Sequence, residues 1–344
     1  MKSSNSKTIE QKFLNVLPII NFLLSLLIVF HHGFTRQVDF LGTNNVSAYG
    51  LTTAIERFMY NLSECAVPIF FFLSAFLFYR TFDGTKEKYL QKMQRRIKSL
   101  LIPYLIFNTI GYVKALVFSG RSGGVADFFL SLLYSDTMPL WFIRELIMLS
   151  LLAPVIYKIK RSLSLTVIVC LLSVILAILG LVGYRCFVYW LPIYLAGAAF
   201  DKKCIAIAYS FFERHKSSMF CIFAYCLCAW FLPNGMEKGC FIYRTEFYMF
   251  RLLSPFMACF LAYVIISRKI TVRKWMHYSF FVYCMHAPII TVVHIILGKI
   301  NLFQNTEIIY YICGVFLSYA LCVTIAMLME RNFYPIWKIL NGNR

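Results

Sequence analysis

Titratable side chains inside apolar segments are the first feature of this sequence that could carry chemistry. Histidines stand side by side at positions 31 and 32, where the first apolar segment ends, and at position 286, in the middle of the ninth. Four charged residues also interrupt apolar segments, namely Lys114, Arg144, Glu145 and Arg251. Such side chains are costly in lipid, so by default they face a protein interior and act there. They predict one polar site in the outer half of a helix bundle.

The composition requires a membrane around these segments. Of the 344 residues, 60% are hydrophobic and only 14% are charged, whereas soluble domains carry about 25% charged residues. With about 20 residues for each membrane-spanning helix, the sequence predicts an all-α polytopic membrane protein of about ten transmembrane helices, one domain over residues 1–344 and no soluble domain. The ten segments are residues 13–32, 65–79, 99–119, 139–157, 163–183, 185–200, 217–232, 246–267, 277–298 and 308–334.

The distribution of basic residues predicts the orientation. With both termini in the cytoplasm, the inner segments hold 24 of the 34 lysines and arginines, the outer segments hold seven, and three lie within apolar segments. Lysine and arginine accumulate in cytoplasmic loops of membrane proteins. The net charge of +19 is therefore a topology signal, and nucleic acid is not an expected partner.

Metal and nucleotide motifs are missing from the sequence. The six histidines are scattered, no paired metal-ligand spacing occurs, and no glycine-rich phosphate loop is present, so no metal is expected. A phosphorylated ligand would have to be held by basic side chains. Arg80 to Lys98 place seven cations within about twenty residues, ending in Arg95-Arg96-Ile97-Lys98. This run indicates either cytoplasmic topology or a site for an anionic cytosolic ligand.

Five segments carry motifs that are weak singly but informative in their order and spacing. They are Asn21-Phe22 through Phe30-His31-His32, residues 67–77 (VPIFFFLSAFL), residues 95–104 (RRIKSLLIPY), residues 139–146 (PLWFIREL) and residues 279–288 (SFFVYCMHAP). Together they extend over most of the chain and resemble the acyltransferase 3 family of integral-membrane acyltransferases.

The resemblance implies transfer of an acyl group, commonly acetyl, from cytosolic acyl-CoA to a sugar hydroxyl. The acceptor would be a surface polysaccharide, an exopolysaccharide or a lipid-linked glycan. His32 takes the position of the catalytic histidine and would act as general base or transient acyl carrier. The family's first-span arginine is replaced by Asn21, so Arg144 or Arg251 is expected to supply the missing charge. His286 would line the polar site as a second titratable group.

The same resemblance assigns a donor side and an acceptor side. Four cations would hold the phosphates of acetyl-CoA or another acyl-CoA: Arg80, Arg95, Arg96 and Lys98. Four residues would contact the acceptor: His31, Lys114, Glu145 and Arg251. Membrane lipid, a carbohydrate acceptor, and further copies of the chain or glycan-synthesis enzymes are the expected partners, in a bacterial cytoplasmic membrane.

Two other functions need similar residues. A transporter or flippase for a lipid-linked sugar also requires polar groups within spans and a basic inner face. A non-catalytic partner of a polysaccharide synthase would tolerate loss of the first-span arginine. The sequence does not decide which ring of the pair at 31 and 32 faces the bundle interior.

Overall fold

The computed structural model describes residues 2–33, 51–118, 120–121, 123–231, 239–300 and 307–343. Every regular element within these ranges is helical. The helices are α1 (Lys2–His32), α2 (Leu51–Ser63), α3 (Ala66–Tyr79), α4 (Lys86–Arg96), α5 (Ile102–Phe118), α6 (Val125–Tyr134), α7 (Trp141–Leu151), α8 (Ala153–Arg161), α9 (Leu163–Ile178), α10 (Phe187–Ala199), α11 (Lys202–Phe231), α12 (Phe241–Ser267), α13 (Ser279–Ile300), α14 (Glu307–Asn332) and α15 (Tyr334–Leu340). A π-helical turn (Ile97–Leu101) follows α4, and a 3₁₀ helix (Lys274–Tyr278) precedes α13.

Among the described residues, six helical stretches are long and apolar enough to cross a membrane. Helices α8 and α9 pass the same test as a pair, with a bend of 117° between them, and would give a seventh span. Helices α6 and α10 are apolar but shorter. The predicted helical membrane protein is thus confirmed, while the number of ten spans and the side of the termini remain predictions. The six stretches are Thr8–His32, Ile55–Tyr79, Lys86–Phe118, Phe241–Ser267, Lys274–Lys299 and Ile308–Asn332.

The chain forms two compact units. The first comprises Met1–Asn21, Glu64–Gln94 and Glu145–Met276. In it α10 packs against α3 and α9, and α12 packs against α3 and α11. Aromatic side chains fill these contacts, as where the rings of Phe71 and Trp190 stack with centroids 4.9 Å apart. Large rings contribute most of the apolar area that such packing removes from its surroundings.

The second unit comprises Phe22–Ser63, Arg95–Arg144 and His277–Arg344. Helix α13 packs along α14, α2 contacts α14, and α5 contacts α6, α13 and α15. An apolar cluster joins the end of α1 to α13 and α14 through Phe30, Val282 and Tyr311, among others. This packing fixes the last turn of α1 against the middle of α13, which is where the histidines lie.

Candidate active site

Three histidine rings of the second unit lie together. The centroid of the His32 ring is 4.9 Å from that of His31 and 5.0 Å from that of His286. The end of α1 supplies the first two residues and α13 supplies the third. The sequence placed these residues in one site, and the structure brings all three together.

His31 is held in one orientation by α2. Its Nδ1 lies 2.7 Å from the hydroxyl oxygen of Ser63, and its ring stacks on Tyr60 with centroids 4.4 Å apart. The Ser63 hydroxyl donates its single proton to the carbonyl oxygen of Tyr60. Since that proton is used, His31 Nδ1 must be the donor to Ser63. A neutral His31 therefore carries its lone pair on Nε2.

His286 is completely buried. Its Nδ1 lies 2.7 Å from the carbonyl oxygen of Tyr283, one turn earlier in α13, and therefore donates to it. In the part of the chain that the structure describes, His286 Nε2 has no hydrogen-bond partner. A buried acceptor without a donor costs about 1–3 kcal/mol. His286 thus presents an unused lone pair beside the ring of His32.

His32 differs from both neighbours. Its ring is exposed, and its nitrogens make no hydrogen bond to the described residues. The accessible ring is therefore flanked by His31 and His286, whose tautomers are both fixed through Nδ1. Such an arrangement leaves His32 able to accept a proton or to attack an electrophile with either nitrogen.

One face of α2 contributes residues that the sequence analysis missed. Glu56, Tyr60 and Ser63 follow a spacing of four and three residues, so they share a face of the helix. Glu56 and Ser63 are buried, and Tyr60 stacks on His31. The spacing of these residues is a signal of an amphipathic helix. A search for apolar segments does not find it, because two charged residues, Glu56 and Arg57, interrupt the segment.

Arg144 and Glu145 differ in their surroundings. Arg144 Nη1 donates a 3.0 Å hydrogen bond to the carbonyl oxygen of Leu133, within the second unit. Glu145 is buried and belongs to the first unit. Neighbours in a helix point about 100° apart, so these two side chains point in different directions.

Arg251 forms a buried ion pair in the first unit. Its Nη2 lies 2.6 Å from Glu64 Oε2, and its Nη1 donates a 2.6 Å hydrogen bond to the hydroxyl of Tyr189. The guanidinium also lies 4.4 Å from the ring centroid of Phe247. Glu64 was not singled out by the sequence analysis, and it lies 187 positions from its partner.

Other predicted site residues show fewer contacts. Asn21 and Lys114 are half-buried on α1 and α5, and neither side chain makes a hydrogen bond or ion pair with described residues. Eleven residues, about three turns of α-helix, separate Asn21 from His32 along α1.

The predicted donor-binding cations lie in both units. In the first unit, Arg80 Nε donates to Glu10 Oε1 at 2.5 Å, so this cation is paired. In the second, Arg95 and Lys98 are exposed and Arg96 is half-buried. No group of three histidine, cysteine, aspartate or glutamate side chains that could hold a metal occurs among the described residues.

Comparison with known proteins identifies a family. The family model Acyl_transf_3, described as an acyltransferase domain, matches residues 19–327, nearly the whole chain. No curated protein and no solved structure matches the chain.

Proposed function

The chain belongs to the acyltransferase 3 family of membrane acyltransferases, and from this premise we propose that it transfers an acyl group, most commonly acetyl, from cytosolic acyl-CoA to a sugar hydroxyl. The acceptor is a surface polysaccharide, an exopolysaccharide or a lipid-linked glycan. The observation that carries the proposal is the exposed His32 ring between two histidines of fixed tautomer. The family resemblance drawn from the sequence motifs is confirmed by the family match.

His32 is the proposed catalytic residue. As a general base it takes the proton from the sugar hydroxyl while the hydroxyl oxygen attacks the thioester carbonyl. The tetrahedral intermediate then expels the CoA thiolate, which receives the proton from His32. As an acyl carrier, His32 would instead attack the thioester carbonyl through one ring nitrogen and expel the CoA thiolate, which takes the proton of the other ring nitrogen. The sugar hydroxyl would then attack the acyl-imidazole, and its proton would return to the ring as the N–acyl bond breaks. Either route needs one His32 ring nitrogen with a free lone pair, and neither nitrogen is engaged by the side chains or backbone of the described residues.

Three other residues are proposed to support this step. The His286 lone pair can accept a hydrogen bond from the His32 ring or from the acceptor hydroxyl. Arg144 is proposed to stabilise the oxyanion that develops on the thioester carbonyl. Asn21, at the position of the family's arginine, is proposed to orient a polar group of the substrate. Hydrogen bonding by Asn21 cannot replace the lost positive charge, which leaves that role to Arg144.

We assign acceptor binding to fewer residues than the four that the sequence suggested. His31 and Arg251 are engaged by Ser63 and Glu64, so we give His31 a positioning role and Arg251 a structural one. Lys114 and Glu145 remain the proposed contacts to the sugar.

The donor is proposed to bind from the opposite side of the membrane. With ten spans and both termini in the cytoplasm, the basic segment faces the cytosol and the histidines lie towards the outer face. Arg95, Arg96 and Lys98, with Arg80 nearby in sequence, would hold the CoA phosphates. The excess of basic residues in the inner segments supports this orientation, as expected for a bacterial cytoplasmic membrane.

Donor consumption by purified protein tests the proposal. Labelled acetyl-CoA and succinyl-CoA are incubated with wild type, His32→Ala, His31→Ala and a control, His277→Ala, which removes an exposed histidine of the 3₁₀ helix. We expect label release or exchange in wild type and His277→Ala, partial activity in His31→Ala and none in His32→Ala. Folded protein that turns over neither donor would contradict the proposal and favour transport of a lipid-linked sugar or a non-catalytic role.

A further inference from the structure

The backbone hydrogen bonds change register directly after α4, within the basic segment that runs from Arg80 to Lys98. α4 ends at Arg96, and in the π-helical turn that follows the N–H of Ile102 bonds to the carbonyl of Ile97, five residues earlier. Pro103 has no N–H. Its partner would be the carbonyl of Lys98, five residues earlier, in a π-helix, or that of Ser99, four residues earlier, in an α-helix. Both carbonyls therefore lack a helical donor from Pro103. Single π turns of this kind occur frequently at functional sites.

The turn after α15 covers these two carbonyls. The side-chain amide of Asn343 donates a long hydrogen bond of 3.5 Å to the carbonyl oxygen of Lys98. Gly342 lies against Ser99, since a Cβ at position 342 would stand 2.5 Å from the Ser99 carbonyl oxygen. Gly342 also has a φ of +68°, which side chains disfavour. Only glycine fits both the close approach and this backbone conformation.

This turn is firmly attached to the second unit. Trp337 of α15 is 3% exposed, and its ring lies 5.3 Å from those of Tyr278 and Phe281. The Tyr278 hydroxyl in turn donates a 2.6 Å hydrogen bond to Glu330. The contacts of Gly342 and Asn343 with the π turn therefore belong to a packed assembly.

The register of the π turn determines the direction of the cations beside it. Each residue of an α-helix rotates the next side chain by about 100°, so a slip of one residue would turn Lys98 away from its present direction relative to Arg95. Both side chains are exposed and make no hydrogen bond or ion pair with described residues.

We propose that the turn formed by Gly342 and Asn343 is a positioning element for acyl-CoA: it fixes the π turn and thereby the relative directions of Arg95 and Lys98 towards the CoA phosphates. This inference rests on the proposed function. Neither Gly342 nor Asn343 touches the donor. Their substitution weakens donor binding while leaving the chemical step intact.

The test compares two glycines that share a positive φ. Gly342→Ala introduces both backbone strain and the contact with Ser99. Gly239→Ala introduces the strain alone, because Gly239 has a φ of +85° and a Cβ there would meet none of the described residues within 4 Å. Asn343→Ala removes the bond to Lys98 and also places an alanine at a φ of +56°, a strain for which Gly239→Ala is again the control. It serves where Gly342→Ala does not fold. Dissociation constants for labelled CoA and acetyl-CoA, kcat at saturating donor and hydrogen exchange over residues 95–104 are measured for each protein.

We expect Gly342→Ala to raise the dissociation constant about tenfold, which corresponds to about 1.4 kcal/mol, with faster exchange over residues 95–104. Asn343→Ala should raise it two- to threefold, and Gly239→Ala should leave it unchanged. kcat should stay within twofold in all three. Unchanged donor affinity in a folded Gly342→Ala protein, or in Asn343→Ala as the substitute, overturns the inference. If wild type binds no CoA, the proposed function is overturned instead. In that case, hydrogen exchange over residues 95–104 that is unaltered in Gly342→Ala and Asn343→Ala would refute the link between the turn after α15 and the π turn.

Discussion

His286 and His32 face each other at 5.0 Å between ring centroids, and the two differ in what their nitrogens do. His286 uses Nδ1 on the carbonyl of Tyr283 and keeps a buried, unpartnered Nε2 among the described residues, whereas His32 is exposed and makes no hydrogen bond there. A buried histidine near a proline can serve simply to bond the carbonyl that the proline leaves without a helical N–H donor. For Pro288 that carbonyl belongs to Cys284, four residues earlier. His286 instead bonds the carbonyl of Tyr283, so this explanation does not apply to it.

The lone pair of His286 should matter for catalysis through hydrogen bonding. His286→Phe fills the buried volume without an acceptor, and we expect kcat for acyl exchange to fall about 100-fold, within the range that a positioned acid or base contributes. His286→Gln offers an amide oxygen near the position of Nε2 and should retain activity within about tenfold of wild type. Full activity in His286→Phe would remove this residue from the proposed site, and equal losses in both variants would indicate that His286 itself takes up the proton.

Ser63 should act by fixing His31. Ser63→Ala removes the acceptor of the His31 Nδ1 proton, so the ring can change tautomer and orientation beside His32. One such hydrogen bond contributes about 1 kcal/mol, and we expect kcat/KM to fall about five- to tenfold with an altered pH profile. Ser63→Thr keeps the hydroxyl and should restore both. A purely structural role would lower the yield of folded protein without changing the pH profile of what remains.

The Arg251–Glu64 ion pair should contribute to stability more than to the chemical step. Breaking a buried pair by removing one partner costs about 3–5 kcal/mol, so Arg251→Met and Glu64→Gln should each lower the unfolding temperature strongly. Replacing both residues by apolar ones should cost less than the sum of the single changes. Thermal unfolding in detergent, analysed as a double-mutant cycle, measures the coupling between them.

Tyr189→Phe provides the matched control for that cycle. It removes the hydroxyl that accepts from Arg251 Nη1 but leaves the ion pair with Glu64 in place. We expect a smaller loss, about 1.5–3 kcal/mol for a hydrogen bond to a charged group. Single variants that unfold like wild type would show that Arg251 has no structural role and would return it to the proposed acceptor site.

The sequence predicted the parts of the site that hydropathy can reveal. His31, His32 and His286 stand out because a polar ring in an apolar segment is unusual, and the family motifs frame them. The α2 residues did not stand out, because a helix that carries Glu56 and Arg57 resembles a loop in a hydropathy profile. Their role depends on α2 packing beside the end of α1, a tertiary contact that no local pattern encodes.

Long-range partners and backbone register were equally out of reach. Arg251 was visible as a cation within an apolar segment, but its partner Glu64 lies at the junction of two helices and could not be paired with it from spacing alone. The π turn also has no signal of its own, since Pro103 near the start of α5 is compatible with an ordinary helix start. The contacts of Gly342 and Asn343 with Ser99 and Lys98 join residues far apart in the sequence, and no local pattern predicts them.

Arg95 and Lys98 should together recognise the phosphates of CoA. Removing one charge-assisted hydrogen bond costs about 1.5–3 kcal/mol, so Arg95→Ala and Lys98→Ala should each raise KM for acetyl-CoA at least tenfold with kcat unchanged, as for a group that binds ground and transition states equally. Lys202→Ala removes an exposed cation of the first unit and should change neither parameter.

Inhibition by CoA and dephospho-CoA sharpens that experiment, because the two ligands differ by a single phosphate. Wild type should bind CoA more tightly than dephospho-CoA, and the difference should shrink in whichever variant has lost the contact to the 3′-phosphate. Added salt should weaken CoA binding to wild type more than to the Arg95→Ala, Lys98→Ala double variant, since exposed charges are screened. An unchanged preference for CoA in both single variants, at an unchanged KM, would show that the basic segment serves only as a topology signal.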